Sequence, residues 1–363
     1  MLRLRDIKYL NKSLIVIVLI LYLFGLFFIY SASYASGKHM HFVTRQIMWM
    51  VVGLVVFWLV VSIDFHYFAS LAYVIYFTNI ILLIAVLIIG KVHLGAQRWF
   101  RIGSIAFQPS EITKITIILV VARFLSDHSE QRSRITFIFV PFILVILPVF
   151  LIIKQPDLGT AIIFLPLLFM MLFVAGAKIK YLLSIVLLAI SSVPFLWMFL
   201  HDYQKMRILV FINPNADPLG SGYTAIQSKI AVGSGGLAGL GWLQGTQNRL
   251  KFLPERHTDF IFSVIGEEIG FIGCVILLVL FALLLFKCVK VSEIAGNSFG
   301  RILGLGITAM IFIHIVINVG MTVGLMPVTG LPLPFISYGG SFLVTMMVSL
   351  GLLENIYMRR PVF

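Results

Sequence analysis

An all-α integral membrane protein of about ten transmembrane helices, with a long extracytoplasmic loop between helices 7 and 8, is the fold class this sequence predicts. Three observations carry that reading. The chain has 363 residues, of which 60% are hydrophobic and only 11% charged, too little polar surface for a soluble protein of this size. Apolar runs near the length a spanning helix needs recur along the whole chain. Lys and Arg gather in alternate connections, the asymmetry that sets membrane orientation.

The N-terminus, MLRLRDIKYLNK, is basic and precedes an apolar run from Ser13 to Tyr30. Ser31-Ala32-Ser33 could mark a signal-peptide cleavage site, but the run is too long for that, so it reads as an uncleaved first span. Further spans are expected at roughly 46–63, 67–90, 110–125, 135–153, 158–175, 181–200, 259–287, 301–324 and 338–357. An even number of spans puts both termini on one side. Arg3, Arg5, Lys8, Lys12, Arg123, Arg132, Arg134, Lys178, Lys180, Lys287, Lys290, Arg301, Arg359 and Arg360 mark that side as cytoplasmic. Residues 1–363 then form one polytopic domain, with 201–258 as a large outer loop within it. Cys274 and Cys288 share one apolar run and give neither a disulfide framework nor metal spacing. The net charge of +13 implies an anionic partner or anionic lipid.

Two outer loops run against the positive-inside bias. Residues 91–109 carry Lys91, Arg98 and Arg101; residues 201–258 carry Lys205, Arg207, Lys229, Arg249, Lys251 and Arg256. Their concentration suggests an outward-facing site for an anion, although long loops translocate regardless of charge. Within the longer loop, Asn213-Pro214 and Asp217-Pro218 signal turns. Tyr223, Ile226 and Ile230 recur at helical spacing, which predicts a short amphipathic helix on the membrane surface. GSGGLAGLG at 233–241 lacks a preceding strand, so it reads as a turn or a closely packed re-entrant segment, not a dinucleotide site.

The chain is organised around KFLPERHTDFIFSVIGEEIG, residues 251–270. Glu255, Arg256, His257 and Asp259 stand here at the start of a long apolar run, where charge is costly and so points to function. Asp259, Ser263, Gly266, Gly270 and Gly273 fall on roughly one helix face, and the small residues invite close approach by a neighbour. The bland alternative makes Asp259 an N-cap carboxylate paired with Arg256.

Polar residues at other span ends are read similarly. Ser110 can cap a helix beginning at Glu111, and Lys114 shares a face with Glu111, a pair expected to be at least structural and suited to lining a cavity. Asp157 reads as a further cap. His314, Asn318 and Thr322 form a stripe suited to helix–helix hydrogen bonding. MPVTGLPLPFISYGGS at 326–341 cannot be regular helix and should be buried in protein or line a polar cavity. His39 and His41 make too weak a pattern for a metal site.

Together these strings resemble the SEDS family (shape, elongation, division and sporulation). The resemblance rests on GAQRWF at 95–100, QPSEITK at 108–114, QPDLGT at 155–160, YQKMR at 203–207, GSGG at 233–236, FLPERHTDFIF at 252–262, GEEIG at 266–270 and PLPFISYGGS at 332–341. They run in the family's order over nearly the whole chain. GTQ at 245–247 and Arg256 look like the rod-shape branch; the division branch usually has Ala at the latter position. The resemblance implies a peptidoglycan glycosyltransferase polymerising lipid II on the outer face of the bacterial cytoplasmic (inner) membrane during elongation. It implies as partners a class B penicillin-binding protein, other membrane proteins of the elongation complex, lipid II and undecaprenyl pyrophosphate, and no nucleic acid. It also implies that Asp259 is the essential catalytic residue and that Trp99 matches the family's important loop tryptophan, the alternative for Trp99 being an interfacial anchor.

The expected chemistry is simple. An undecaprenyl pyrophosphate is a good leaving group, so no carboxylate pair of the glycosidase kind is required. One base must take the proton of the acceptor 4-hydroxyl, and Asp259 can be that base, with inversion at the anomeric carbon. Arg98, Arg101, Lys114, Arg207 and Arg256 are the candidate cations for the pyrophosphate. Glu111, Glu255, His257 and Ser337 complete the substrate-binding candidates. No metal ligands are expected, although a divalent cation could share the cations' role. The alternatives are a lipid II flippase, whose site would be expected near the bilayer midplane, and a non-catalytic scaffold for the transpeptidase, which needs no such charges.

Overall fold

The computed structural model describes residues 9–93, 96–102, 105–132, 134–199, 202–217 and 220–360. Thirteen α-helices and three short strands make up the described chain. Ten of the helices are long and fall on the ten segments expected from sequence: α1 (Lys12–Tyr34), α2 (His39–Ser62), α3 (Phe65–Ile89), α4 (Pro109–Asp127), α5 (Thr136–Lys154), α6 (Leu158–Val174), α7 (Ile179–Phe199), α11 (Ile261–Glu293), α12 (Ser298–Val323) and α13 (Gly340–Met358). Seven of these are long and apolar enough by themselves to cross a membrane, and α6 is a shorter apolar helix. α4 carries Glu111, Lys114, Arg123 and Asp127, yet it is buried on nearly all sides, which is where a charged helix must sit in such a bundle. α12 is likewise central, with 78% of its apolar window covered by neighbours, against 22% for the peripheral α2.

The all-helical reading omitted one element. Three strands, β1 (Lys91–His93), β2 (Ala96–Ile102) and β3 (Ile105–Phe107), form an antiparallel sheet in that order. Trp99 lies on β2 opposite Lys91, and Ser341 at the start of α13 donates to the carbonyl of Ala106 at 3.1 Å, tying the sheet to the bundle.

The loop 201–258 holds α8 (Asp202–Ile212), α9 (Ser221–Ser234) and the single-turn α10 (Thr246–Arg249). α9, expected as a membrane-surface helix, packs its polar side against α11 and α12. Ser228 is fully buried, shares a hydrogen bond with Ser263 of α11 at 2.7 Å and donates to the Thr322 carbonyl of α12 at 2.8 Å, while Ile230 is exposed. In an apolar medium the small and polar face seeks protein and the aliphatic face can face lipid, the reverse of the arrangement in water.

The segment that follows explains the glycines. Helix α11 breaks at Gly270, whose φ of 67° lies in the left-handed region. Residues 236–241 fill the break: Phe271 and Ile272 donate to the carbonyls of Gly236 and Leu237 at 2.9 and 3.1 Å, and Leu240 and Gly241 donate to those of Glu267 and Glu268 at 3.0 Å each. The backbone groups freed by the kink are thereby satisfied within protein. A Cβ at Gly235 would collide with the Gly266 carbonyl, and one at Gly239 with that of Glu268. The expected small face of α11 is therefore real, and its close neighbour is the glycine-rich segment.

Candidate functional site

The turn 255–260 carries the central carboxylate. Glu255 is left-handed, with φ of 45°, and its carbonyl accepts from the amides of Thr258, Asp259 and Phe260 at 3.2, 3.1 and 3.3 Å. A non-glycine residue in this conformation persists only where its surroundings hold it, and such strain gathers at functional sites. The holding contacts come from the irregular 326–341 loop and from α12. Ser337 Oγ donates to the Thr258 carbonyl at 2.6 Å and accepts from the Leu333 amide at 2.8 Å. The Tyr338 amide donates to the His257 carbonyl at 2.9 Å, and Asn318 Nδ2 donates to the carbonyls of Asp259 and Leu331 at 2.9 and 2.6 Å. Residues 331–337 are thus mostly buried in protein while Met326, Pro327 and Val328 line a cavity, the two settings that such irregular backbone requires.

Asp259 does not cap α11. The N-cap position is Phe260, which makes no side-chain capping bond, and Arg256 donates to the Asn248 carbonyl at 2.7 Å instead of pairing with Asp259. The bland reading fails for a geometric reason: the turn ends one residue later than a cap at Asp259 would require. The carboxyl instead opens on a cavity of about 260 Å³ that is also lined by Arg207, Lys229, Thr224 and Glu255 and by an apolar wall including Phe211, Met321, Met326 and Val328. Burial first, and then the neighbouring Glu255 carboxylate, push the Asp259 carboxyl up to about 7, against opposing pulls from Thr258, Arg207 and Arg98. Burial also lowers the His257 imidazole, with Glu255 opposing and Arg256 reinforcing the shift. Gly330, with φ of +77°, brings backbone to the carboxylate: a Cβ there would stand 3.2 Å from Asp259 Oδ2.

The other expected residues take distinct places. Arg98 pairs with Asp157 at 3.4 Å. Asp157 caps α6 by accepting from the Thr160 amide at 3.3 Å, and it also accepts from Gln108 at 2.9 Å, Ser110 at 3.4 Å and the Thr160 hydroxyl at 3.0 Å. Ser110 therefore does not cap α4, which begins at Pro109. Lys114 is completely buried, 2.8 Å from Glu111 and 3.1 Å from His314 Nε2, with the Phe342 ring beneath it. His314 in turn meets the Pro332 carbonyl at 3.2 Å. Neither Glu111 nor Lys114 lines the cavity beside Asp259. The Arg101 side chain lies outside the described residues. Among the described residues no three His, Cys, Asp or Glu side chains converge as metal ligands.

The model of the FtsW/RodA/SpoVE family, described as cell cycle protein, matches residues 11–361. The chain belongs to this family. It is 41% identical over 357 residues to the peptidoglycan glycosyltransferase MrdB of Escherichia coli K12, covering 98% of this chain and 95% of that one. It is 32% identical over 432 residues to the peptidoglycan glycosyltransferase RodA of Treponema pallidum, covering 99% and 100%. Among solved structures it resembles a chain of a peptidoglycan synthase complex that coordinates polymerization and crosslinking, with a TM-score of 0.82, 32% identity and coverage of 96% and 97%. The rod shape determining protein RodA of Thermus thermophilus aligns with a TM-score of 0.73 at 29% identity, covering 97% of each chain.

Within this member of the FtsW/RodA/SpoVE family, sequence reasoning overlooked three contributors. Lys229 looked like one of many loop cations, yet it reaches the cavity. Asn318 was assigned to helix packing and in fact fixes the backbone of Asp259. Gln46 of α2 binds the Ser337 carbonyl at 3.2 Å and the Gly339 amide at 3.2 Å, holding the loop from its other side. The available signal was a polar residue inside an apolar run for Asn318 and at the very start of one for Gln46.

Proposed function

We propose that this chain is an inverting peptidoglycan glycosyltransferase, with Asp259 as its general base. The observation that carries the reading is Asp259 itself, a half-buried carboxyl at the mouth of α11, held by its backbone, free of a capping or ion-pair duty among the described residues, and raised to about 7 beside a cavity. A base with that affinity takes a proton near neutral pH with a useful driving force. In the reaction the acceptor 4-hydroxyl loses its proton to Asp259 as its oxygen bonds to the anomeric carbon of the donor. The bond from that carbon to the pyrophosphate oxygen breaks, and undecaprenyl pyrophosphate leaves with the electron pair. Cations at this end of the bundle stabilise the growing phosphate charge. Glu255 tunes the base. Ser337, Arg256 and Asn318 shape the turn that presents it, and Glu111 with Lys114 keeps α4 and α12 in register beneath it. We assign Trp99 and Arg98, both on β2, to contacts with the lipid-linked sugar outside the cavity wall.

The termini then face the cytoplasm, and the cavity faces the outside of the bacterial inner membrane. The partner is a class B penicillin-binding protein supplying crosslinking, within an assembly of elongation proteins. The test is purified protein given lipid II in detergent. Wild type should make glycan polymer. Asp259→Asn should fold and insert yet lose on the order of a hundredfold or more in rate. Polymerisation by a well-folded Asp259→Asn protein at near wild-type rate would sink the mechanism. Lipid II movement across liposomes without any polymer would favour a flippase.

A further inference from the structure

Of the cations expected to meet the pyrophosphate, most are engaged elsewhere. Arg98 is held by Asp157 at 3.4 Å, Arg256 by the Asn248 carbonyl at 2.7 Å, and Lys114 by Glu111 at 2.8 Å inside the bundle. Arg207 is the member of that group which lines the cavity beside Asp259, and Lys229, from the next helix, lines it too. Neither forms an ion pair among the described residues. Two cations without an ion pair among the described residues, on successive helices, therefore share one cavity with the base.

The fold makes specific room for the lysine. α12 ends at Gly324, which caps the helix in the left-handed conformation with φ of 79°. A Cβ at Gly324 would collide with Lys229 Cε and would stand 2.6 Å from Nζ. The volume of the missing side chain is occupied by the lysine stem, which crosses the end of α12 toward the cavity. The remaining wall, formed by Val210, Phe211, Met321, Met326, Pro327 and Val328, is apolar.

Resting on the glycosyltransferase reading, we propose that Arg207 and Lys229 form the diphosphate-binding pair of this cavity, with Gly324 as the positioning residue for Lys229. A polyprenyl diphosphate fits this chemistry. Its two phosphates meet two cations, one a planar fork and one a compact point charge. Its first isoprene units meet the apolar wall. When the sugar–phosphate bond breaks, the new charge forms on the phosphate that these cations face, so the pair favours bond breaking as well as binding. Arg207 also acts on Asp259 across the cavity, opposing the rise of its carboxyl.

The test measures binding of undecaprenyl diphosphate, without a sugar, to the full-length protein in detergent, by native mass spectrometry. Lys229→Met should weaken binding about tenfold, the size of one lost charge-assisted contact, and Lys229→Arg should restore most of it. Gly324→Val should weaken it similarly while Lys229 itself is intact. Asp259→Asn removes an ionisable carboxyl beside the cations, so it should bind the diphosphate at least as tightly as wild type while losing polymerisation, which separates this site from the catalytic reading. If wild type makes no glycan but Lys229→Met still loses the diphosphate, the site stands and the proposed reaction fails. Phosphatidylglycerol nanodiscs and undecaprenyl monophosphate serve as the other phosphate sources, and each should respond to Lys229→Met by less than the diphosphate. Wild-type affinity for undecaprenyl diphosphate in a Lys229→Met protein with unchanged melting temperature would overturn the assignment. An equal loss of phosphatidylglycerol binding would overturn it too, since the pair would then be a general lipid contact.

Discussion

Replacing Glu255 with Gln should move the acid limb of polymerisation toward lower pH. The Asp259 carboxyl is held at about 7 by burial, the larger cause, and by the Glu255 carboxylate, the second. A base must be ionised to work, so wild type should run at roughly half its plateau rate near pH 7 and roughly a tenth of it one unit lower. Removing the Glu255 charge removes the second cause and leaves the first. The limb should therefore settle between the ordinary aspartate value of 3.8 and the present value of about 7. Arg207→Met should push it the other way, because that guanidinium pulls the carboxyl down. The assay is initial rate of glycan formation from lipid II in detergent, from about pH 5 to about pH 9, at substrate well below KM so that the limb reports the free enzyme. Full wild-type activity at about pH 5 would refute a raised base. A Glu255→Gln limb that stays put or moves to higher pH would refute the coupling between the two carboxyls.

The same shift has a consequence for stability. A carboxyl raised above its unfolded value favours the fold while neutral, and that advantage is lost as pH rises through 3.8 toward about 7. Asp259→Asn should thus melt no lower than wild type at neutral pH and above, and a clear drop there would mean that the carboxylate is structural. Lys114→Ala leaves Glu111 buried without its partner at 2.8 Å and should cost about 3–5 kcal/mol, read as thermal melting in detergent. Glu111→Leu combined with Lys114→Met should recover most of that loss, and a wild-type melting curve for Lys114→Ala alone would contradict the buried pair. Gly330→Ala forces a side chain into the left-handed region at a cost of about 1–2 kcal/mol and crowds Asp259 Oδ2, so kcat should fall more than the melting temperature suggests. An unchanged kcat would show that this approach does not hold the base. A cysteine at the exposed Asn215 should be labelled from outside intact cells, and labelling only after permeabilisation would reverse the orientation.

What the sequence by itself determined was everything written in local pattern. Ten helices lie where ten apolar runs lie, because the cost of an unpaired backbone in lipid leaves a long apolar run little alternative to a helix. The turn bearing Asp259 stood out because charge at a membrane boundary is expensive. The small face from Ser263 to Gly273 announced a close neighbour, and the neighbour is there. Tertiary structure decided which partner each polar group received. Residue spacing could not reveal that Arg98 meets Asp157, that Lys114 meets His314 across 200 positions, or that α9 turns Ser228 inward against Ser263. Nor could it distinguish Lys229 from the other loop cations, since what selects it is the space left by a glycine at the end of a different helix. Helical periodicity is set within a few residues along one chain segment. Pairing in a bundle depends on how helices cross and how deep each residue sits, and those are properties of the packed whole.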